Sequence, residues 1–295
     1  MNNYKENNYI IVSPVKDEEK YIETTIRSII SQTIKPSVWI IVDDSSEDTT
    51  AEIIERYIVD HPWIKLIRTK RNDERQPGAP VINAFNKGYD LIKDNSFDFI
   101  VKLDCDLRLH PDYFERLIEQ FGKNIKLGIA SGIYLENKGN DWTPIEMPSY
   151  HAAGACKVLR KDCFHQIDGF IPAKGWDTID EIKAHRKDWE TCHFDSIKFF
   201  HLKTEGTGIG LARTNMIHGD IYYTTGGGFL FFMFKVVHGI IFCTPIFIGG
   251  LMMLFGYLRS LLLRKKRLVS QEEAAYYKSL LNRRILTGIK NFFYK

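Results

Sequence analysis

Between residues 9 and 133, short runs of β-branched and aromatic residues alternate with stretches in which apolar residues recur every three or four positions. The runs predict β-strands, and the spacing of three or four predicts amphipathic helices. The predicted strands cover residues 9–12, 38–42, 64–68, 97–103 and 127–133, and the predicted helices cover residues 22–30, 53–58, 82–92 and 114–121. Because strands and helices alternate, we predict an α/β fold with a mostly parallel sheet and helices on both faces.

The remainder of the chain changes character twice. Residues 134–228 are less periodic and contain more Gly, Pro, His and Trp, which is typical of substrate-binding loops mixed with a few strands. After Gly226-Gly227-Gly228 the sequence becomes strongly apolar. We therefore predict a globular domain over residues 1–226, with halves of about 8–130 and 131–226, then an apolar helical hairpin over 227–263 and a basic amphipathic tail over 264–295.

The apolar segment contains an uncharged stretch of twenty residues, 239–258, which is just long enough to span a bilayer. Lys235, His238 and Pro245 divide the longer run into two pieces whose length is more typical of re-entrant or in-plane segments. A single span would also place the basic tail and the globular domain on opposite sides of the membrane. We therefore predict a membrane-associated hairpin with a cytosolic basic tail, and a hairpin buried in a protein core is the alternative.

Composition and charge narrow the class of protein. The chain has 295 residues, of which 44% are hydrophobic and 26% are charged, so disordered and collagen-like chains are excluded. The net charge of +3 conceals an uneven distribution, because residues from Arg259 onward contain ten Lys or Arg against two Glu, a net +8, while residues 1–258 carry −5. The basic end directly follows the apolar run, which favours an anionic membrane surface over nucleic acid as its partner.

The five cysteines form no Cys-x-x-Cys pair, which argues against a disulfide framework and against a structural zinc site. The first eight residues are polar and do not resemble a signal peptide. Both observations lead us to expect a reducing environment for the globular domain, at the cytoplasmic face of the cell membrane.

Acidic residues follow the first two predicted strands, in Pro14-Val15-Lys16-Asp17-Glu18-Glu19 and in Asp43-Asp44-Ser45-Ser46-Glu47-Asp48. Parallel sheets bind ligands at the carboxyl ends of their strands. Paired carboxylates are poor ligands for phosphate, but they can accept hydrogen bonds from a base and a ribose. Helix capping explains Asp48, whereas the pair Asp43 and Asp44 exceeds what a cap needs.

The most informative motif is Asp104-Cys105-Asp106, which follows the apolar run 97–103. Its two carboxylates lie two residues apart on one side of a strand, where they repel each other unless a cation lies between them. Hard divalent ions take few carboxylates and complete their shell with water and substrate phosphates. The motif therefore predicts a site for Mg²⁺ or Mn²⁺.

Together these motifs resemble the GT-A glycosyltransferases of family 2, over roughly residues 8–205. The two acidic loops are similar to that family's nucleotide loops, Pro-x-Tyr-Asn-Glu-Glu and Asp-Asp-x-Ser-x-Asp, and Asp104-Cys105-Asp106 matches its metal-binding Asp-x-Asp. Asn86-Lys87-Gly88 resembles its helix after the third strand, and Gly169-Phe170 followed by Gly175-Trp176-Asp177 resembles its Gly-Phe and Glu-Asp motifs. The resemblance implies a GT-A (Rossmann-like) catalytic domain over residues 1–226, with a nucleotide-sugar half and an acceptor half.

The resemblance also implies roles for single residues. The residues that would bind the nucleotide sugar are Pro14, Val15, Glu18, Asp43, Asp44, Asp104 and Cys105. Asp104 and Asp106 would hold the metal, His201 is a further candidate ligand, and Asp177 would be the catalytic base. The region of His201 and Lys203 would fold over the diphosphate. Cys105 is expected to point into the sheet, which argues against a role as nucleophile.

Two departures from the family pattern affect the predicted site. Lys16-Asp17 replaces the usual Tyr-Asn, and Trp176 replaces the acidic neighbour of the base. Asp180 and Glu181 lie three and four residues beyond Asp177, so on a helix they share a face with it. We therefore expect Asp177 to be the base, with Glu181 and then Asp180 as alternatives, although a solvent-exposed helix start would also explain these two carboxylates.

The resemblance implies a glycosyltransferase that moves a sugar from a nucleotide-diphosphate sugar to a hydroxyl acceptor with inversion, in the assembly of a cell-surface polysaccharide or glycolipid. The expected partners are the nucleotide sugar, a glycan or lipid-linked acceptor and a membrane surface, with no nucleic acid. A polyprenyl-phosphate glycosyltransferase is one alternative, because it would share the donor motifs and differ in its phosphate acceptor. A non-catalytic membrane-bound scaffold is the other.

Overall fold

The computed structural model describes residues 8–69, 79–139, 141–203, 210–242 and 247–293. The chain divides into two compact units, residues 1–204 and residues 205–295. The first unit is an α/β domain and the second is helical. The sequence places the end of the globular domain at residue 226, whereas the two units divide at residue 204.

Nine strands form one sheet in the described part of the first unit. They are β1 (Tyr9–Val15), β2 (Val38–Asp43), β3 (Ile64–Arg68), β4 (Phe99–Leu103), β5 (Leu107–Leu109), β6 (Leu127–Lys138), β7 (Asp141–Pro144), β8 (Cys156–Arg160) and β9 (Glu190–His201). Their spatial order is β3-β2-β1-β4-β8-β6-β9-β5, and β7 pairs with β6. All five predicted strands are present.

The first half of the sheet is parallel and covered on both faces, as the sequence predicts. β3, β2, β1 and β4 run in the same direction. Ile11 lies in a core with apolar residues of α1 (Ile22–Ile30), α2 (Thr50–Ile58) and α4 (Tyr113–Lys123). Its neighbours Ile10 and Val12 lie in a second core, with apolar residues of α3 (Ala79–Asp90). Alternate residues of one strand thus face opposite helical layers.

The prediction of a mostly parallel sheet is wrong for the second half, and the sheet as a whole is mixed. β8 is antiparallel to β4 and β6, β7 is antiparallel to β6, and β5 is antiparallel to β9, whereas β6 and β9 are parallel. No crossover helix lies between β7 and β8, which is the connection a parallel neighbour requires. The helices α5 (Lys161–Gln166) and α6 (Trp176–Arg186) lie between β8 and β9.

Gly88 shows how closely α3 packs on the sheet. A Cβ at this position would lie 2.7 Å from Val12 Cγ1 and 2.8 Å from Val42 Cγ2. The helix therefore approaches β1 and β2 so closely that only a hydrogen atom fits. This gives a packing reason for the glycine of Asn86-Lys87-Gly88.

The second unit contains α7 (Leu211–Thr224), α8 (Phe229–Phe242), α9 (Ile248–Leu262) and α10 (Gln271–Phe293). The helices α7 and α9 touch through two glycines. A Cβ at Gly219 would lie 1.9 Å from Met253 O, and a Cβ at Gly256 would lie 2.0 Å from Met216 O. The two backbones are therefore in direct contact at this crossing.

The apolar segment forms α8 and α9, with Pro245 and Cys243 outside the described residues. Within the parts of the chain that the structure describes, none of the helices combines the length and the apolar character needed to cross a membrane. Membrane association of this segment therefore stays a prediction.

Candidate active site

The carboxyl ends of β1, β2 and β4 meet at a cavity of about 270 Å³. Neighbouring parallel strands end at the same edge of a sheet, so the loops that follow them converge there. The residues that line the cavity are Pro14, Val15, Lys16, Glu18, Asp44, Pro80, Val81, Asp104, Cys105 and Asp106. The structure thus brings together every residue predicted to bind the nucleotide sugar except Asp43.

The loops after β1 and β2 are held together by hydrogen bonds. Asp17 Oδ1 accepts a hydrogen bond from Glu47 N at 2.8 Å. Asp48 Oδ1 accepts one from Thr50 N at 3.0 Å, but the N-cap residue of α2 is Thr49, which makes no side-chain capping hydrogen bond, so the prediction of Asp48 as the cap is wrong. Asp17 and Ser45 have φ values of 53° and 63°, in the left-handed region that non-glycine residues rarely adopt. Strained backbone of this kind is common in loops that bind ligands.

Asp43 and Asp44 are neighbours with different surroundings. The Asp43 side chain is completely buried, accepts a hydrogen bond from Ser46 N at 2.8 Å and pairs with Arg68 Nε at 3.3 Å. Asp44 lines the cavity and accepts a hydrogen bond from Thr69 Oγ1 at 3.2 Å. Asp44 is therefore the acid of the pair that a ligand in the cavity can reach, and Asp43 shapes the loop beneath it.

Asp104 sits beside a buried lysine. Lys102 Nζ donates to Asp104 Oδ1 at 2.5 Å and to Gly154 O at 2.9 Å. Burial raises the pKa of Asp104, the nearby Asp106 carboxylate raises it further, and Lys102 opposes both effects. About a third of the Asp104 side chain remains exposed, so its carboxylate can still reach a ligand.

Asp106 is more deeply buried and is oriented by His201. Its Oδ2 atom lies 3.2 Å from His201 Nε2, whereas its Oδ1 atom is buried and has no hydrogen-bond partner among the described residues. Burial alone would lower the pKa of His201, but Asp106 outweighs this effect and the pKa is raised. His201 thus holds one oxygen of Asp106, and no donor in the described part of the chain contacts the other.

These contacts fit a divalent cation. The described residues contain no group of three or more His, Cys, Asp or Glu side chains placed to enclose a metal ion. Asp106 offers a buried carboxylate oxygen that has no donor among the residues the structure describes, and the partly exposed Asp104 carboxylate lies next to it. Mg²⁺ and Mn²⁺ accept such an incomplete set of oxygen ligands when substrate phosphates supply the rest. His201 contacts Asp106, which favours a role in orienting that ligand.

Cys105 and Glu18 complete the wall of the cavity. Cys105 is buried and burial strongly raises the pKa of its thiol, so it is unsuited to act as a nucleophile, as expected. Glu18 Oε1 pairs with Lys203 Nζ at 2.6 Å. Burial raises the pKa of Glu18, although Lys203 opposes the shift. The loop after β1 is therefore joined to the chain just beyond β9.

Asp177 lies in the first turn of α6, which follows Gly175 in the left-handed conformation with φ 74°. The Asp177 side chain is half-buried. A Cβ at Gly154 would lie 3.3 Å from Asp177 Oδ2, and the carbonyl oxygen of Gly154 accepts the hydrogen bond from Lys102. Gly154 thus connects the predicted base to the Lys102–Asp104 pair.

Asp180 and Glu181 do not form a solvent-exposed helix start. Both side chains are buried and both contact the fully buried Lys157. Lys157 Nζ lies 3.0 Å from each carboxylate oxygen of Asp180 and 3.4 Å from Glu181 Oε1. Glu181 also contacts His151 Nδ1 at 3.0 Å. An ion-paired, buried carboxylate is a poor acceptor of a substrate proton, so these contacts favour Asp177 over both alternatives.

The charges of this buried cluster support one another. Burial would lower the pKa of Lys157, but Asp180, Glu181 and Asp177 raise it overall. Burial would raise the pKa of Glu181, but Lys157 and His151 lower it overall. Burial raises the pKa of Asp180 to about 7, against the attraction of Lys157. We favour an ionised Asp180 at neutral pH, because both of its oxygens lie 3.0 Å from the same ammonium group.

Lys102 and Lys157 are among the residues at the site that were not predicted from the sequence. Each is a single lysine within an apolar strand, in Phe99–Leu103 and Cys156–Arg160. A lysine is almost never buried without a partner, so a lysine in such a run indicates a buried ion pair. The pattern alone could not identify the partners: Asp104 lies only two residues from Lys102, whereas Gly154 and Asp180 come from distant parts of the chain.

Comparison with known sequences identifies a family. The sequence model of the family described as "Glycosyl transferase family 2" matches residues 10–176. The poly-beta-1,6-N-acetyl-D-glucosamine synthase of Staphylococcus epidermidis is 30% identical over 141 residues, 48% of this chain and 32% of that protein. The enzyme of the same name from Staphylococcus aureus (strain COL) is 28% identical over 141 residues. The match therefore spans about a third of the length of these curated relatives.

Solved structures show the same fold. The mannosyltransferase PcManGT from Pyrobaculum calidifontis, in complex with GDP-Man and Mn²⁺, has a TM-score of 0.55 at 13% identity, covering 98% of this chain and 88% of that one. TarS 1–349 of S. aureus in complex with UDP has a TM-score of 0.53 at 15% identity, covering 90% and 76%. GalNAc-T7 with UDP, GalNAc and Mn²⁺ has a TM-score of 0.62 at 12% identity, covering 96% and 57%. The fold is therefore of the GT-A type.

Proposed function

Because the chain belongs to glycosyl transferase family 2, we propose that it transfers a sugar from a nucleotide-diphosphate sugar to a hydroxyl acceptor at the cavity between β1, β2 and β4. One observation carries this proposal: the cavity collects Asp44 from the loop after β2 and Asp104 and Asp106 from the segment after β4. In this proposal Asp44 would accept hydrogen bonds from the nucleoside. Asp104 and Asp106 would lie at the diphosphate end.

The diphosphate end requires positive charge. Asp104 and Asp106 would hold Mg²⁺ or Mn²⁺, and when bound this ion would neutralise the charge that develops on the leaving diphosphate. Lys102 keeps Asp104 oriented at 2.5 Å, and His201 orients Asp106 at 3.2 Å. Lys203, paired with Glu18 in the cavity wall, adds a further cation close to the diphosphate.

Asp177 supplies the base in this proposal. It accepts the proton of the acceptor hydroxyl while that oxygen forms a bond to the anomeric carbon and the bond to the diphosphate breaks. Attack from the face opposite the leaving group inverts the anomeric centre. The pKa of Cys105 is raised by burial, so its thiol is unsuited to the covalent intermediate that retention would require.

The named relatives guide the choice of donor. One is a poly-beta-1,6-N-acetyl-D-glucosamine synthase, TarS has been solved with UDP-GlcNAc, and GalNAc-T7 has been solved with UDP and GalNAc. PcManGT has been solved with GDP-Man. We propose a UDP-N-acetylhexosamine as donor, with GDP-mannose as the second candidate. The acceptor would be a glycan or a lipid-linked glycan, in polysaccharide or glycolipid assembly.

Calorimetric titration of the full chain with UDP and with GDP, in Mn²⁺ and in EDTA, tests the donor site. We expect UDP to bind at least about tenfold more tightly in Mn²⁺, and Asp44→Asn to weaken binding by a similar factor. Asp162→Asn, an exposed carboxylate on α5, is the matched control and should bind as wild type does. Equal affinity in EDTA, or no effect at Asp44, would contradict the proposal.

A membrane surface is the proposed location of the reaction. The helices α8 and α9 bury Phe232, Val236 and Met253, yet each also exposes an apolar stripe on another face. The exposed stripes consist of Leu230, Phe234, Val237 and Ile241 on α8, and Ile248, Leu251, Phe255, Leu258 and Leu262 on α9. Stripes spaced at three, four and seven residues suit a helix lying in the plane of a bilayer interface.

Basic residues near the apolar stripes indicate which leaflet of the membrane these helices would contact. Arg259, Arg264, Lys266 and Arg267 are exposed at the end of α9 and just beyond it. Each cation near an anionic leaflet contributes about 1 kcal/mol. We therefore propose that the second unit lies in the cytoplasmic leaflet, where a lipid-linked acceptor would be found.

Flotation of the full chain with vesicles tests this location. We expect binding to vesicles containing anionic phosphatidylglycerol, weaker binding to neutral vesicles, and loss of binding in Phe234→Asp/Leu251→Asp. Val59→Asp, which changes an exposed apolar residue of the first unit, should float as wild type does. If the double variant still floats, α8 and α9 do not form the membrane contact.

A further inference from the structure

Two lysines face each other across β4 and β8. Lys102 and Lys157 are direct partners in the antiparallel ladder, so their side chains leave the same side of the sheet. Their side chains are 3% and 0% exposed. Two adjacent ammonium groups repel each other, and a buried charge is costly without a partner. The two lysines can therefore persist only because other groups hold them apart and neutralise them.

Each lysine is engaged by a different part of the candidate site. Lys102 Nζ contacts Asp104 Oδ1, on the side that would hold the metal, together with Gly154 O. Lys157 Nζ donates to the backbone oxygen of Asp177 at 2.8 Å and lies 3.0 Å from both carboxylate oxygens of Asp180. The lysine pair thus joins the two halves of the proposed reaction centre without lining the cavity.

Trp176 lies near both lysines. Its ring centroid is 5.2 Å from Lys102 Nζ and 5.4 Å from Lys157 Nζ, within cation–π range of each. The indole also packs edge to face on Phe170, with ring centroids 4.9 Å apart. The residue immediately before Asp177 is therefore fixed by the same two cations. A carboxylate at this position would lack that cation–π packing, which gives a physical reason for the unusual tryptophan.

The cluster also fixes the loop opposite α6. Glu181 Oε1 accepts a hydrogen bond from Ala152 N at 2.7 Å, and its Oε2 atom contacts His151. The same loop continues to Gly154, whose backbone lies against Asp177. The buried charges therefore hold both the helix turn that carries Asp177 and the loop that packs on its side chain.

We propose that Lys157 is a positioning residue, which orients Asp177 by holding its backbone carbonyl and by anchoring α6 through Asp180 and Glu181. Trp176 assists by packing against Lys157 and Lys102. The inference rests on the proposed function of Asp177 as the base. Lys157 itself does not touch the substrate, so its effect on turnover must pass through Asp177.

A double-mutant cycle on transfer rate tests this role. Lys157→Met removes the ammonium group and keeps most of the volume, and we expect kcat to fall by about 10- to 100-fold, because small displacements of a catalytic group have effects of this size. The affinity for UDP and Mn²⁺ should stay within about twofold. In an Asp177→Asn background, Lys157→Met should cause little further loss, since both act through one proton acceptor. Lys183→Met, a lysine of α6 that donates to Ile167 O at 2.8 Å, is the matched control.

The results of this cycle distinguish the proposal that Asp177 is the base from the proposal that Lys157 positions it. If Asp177→Asn leaves transfer unchanged, the assignment of the base is wrong. If Asp177→Asn loses activity but Lys157→Met does not, or if the two losses multiply, the positioning role is overturned. Should Lys157→Met fail to fold, Lys157→Met/Asp180→Asn removes one charge of each sign and leaves the Glu181–His151 pair intact. That variant still lacks the donor to the Asp177 carbonyl, and we expect it to fold and to show the same fall in kcat.

Discussion

At the scale of single residues, the proposed chemistry depends on Asp177. We expect Asp177→Asn to reduce transfer by about 10²–10⁴-fold, because the amide keeps the shape of the side chain but cannot accept the acceptor's proton. Nucleotide and metal affinity should stay near wild type. Steady-state transfer rates and calorimetric affinities check the two parts separately, with Asp162→Asn as control. A small loss at Asp177 would instead favour a phosphate acceptor, which is already ionised.

Sequence reasoning located most residues of the cavity because chemistry and strand position agree there. Asp44, Asp104 and Asp106 all follow apolar strand runs, and all three line the cavity. The sequence did not reveal the surroundings of Asp180. Helical spacing places its carboxylate on the same face as Asp177, but it cannot show that Lys157 lies beneath that carboxylate. Lys157 lies 23 positions away in sequence, and no local pattern connects the two residues.

At the scale of elements, the segment between β7 and β8 is held to α6 by an ion pair that depends on pH. Burial would lower the pKa of His151, but Glu181 outweighs this effect and the pKa is raised above its ordinary value of 6.5. A raised folded pKa contributes stability that is fully present below pH 6.5 and lost as pH rises through the folded value. The lowered pKa of Glu181 contributes stability that is present above its ordinary value of 4.5 and lost as pH falls through the folded value.

Urea unfolding of wild type and His151→Gln at several pH values checks this contact. All five tryptophans lie between residues 39 and 189, so their fluorescence reports on the first unit. We expect the variant to be less stable by about 1–2 kcal/mol at pH 6, and the difference to shrink by pH 9. A difference that is constant over this range would show that the ion pair contributes nothing.

A second prediction at this scale concerns the crossing of α7 and α9. A Cβ at Gly219 would lie 1.9 Å from Met253 O, so Gly219→Ala must separate the two backbones. Overpacking of this kind costs about 1–3 kcal/mol, more than the gain in helix propensity. Amide hydrogen exchange in α7 and α9 should accelerate, while tryptophan fluorescence still reports an unchanged first unit. Arg213→Ala, exposed on the same helix, should exchange like wild type, and equal protection in Gly219→Ala would refute the close crossing.

Periodicity predicted the elements better than their pairing. The helices α1 to α4 and the strands β1 to β4 were found because one side of each helix is apolar and because the strands are rich in β-branched and other apolar residues. The antiparallel insertion of β8 between β4 and β6 was missed, because strand direction depends on the path of the preceding loop. For the same reason, the sequence could not show that Lys102 and Lys157 are partners across β4 and β8.

At the scale of the whole molecule, net charge is distributed unevenly along the chain, and the exposed apolar stripes lie on α8 and α9. Residues 1–258 carry −5, whereas the part from Arg259 onward carries +8. Hydrophobicity predicted that 229–263 would be helical, and α8 and α9 bear this out. Hydrophobicity alone could not determine whether protein or lipid covers the exposed stripes of α8 and α9, because a protein core and a bilayer interface select the same residue types.

The most direct test of the proposed function is release of nucleoside diphosphate from sugar nucleotides by the full chain. UDP-GlcNAc, UDP-GalNAc and GDP-Man would be assayed in Mn²⁺ and in EDTA, with wild type, Asp106→Asn and the control Asp162→Asn. We predict release from at least one donor by wild type and control in Mn²⁺, none in EDTA, and a loss of about 10²–10³-fold in Asp106→Asn. Release by Asp106→Asn at the wild-type rate, or undiminished release in EDTA, would contradict a metal-assisted transfer at this cavity.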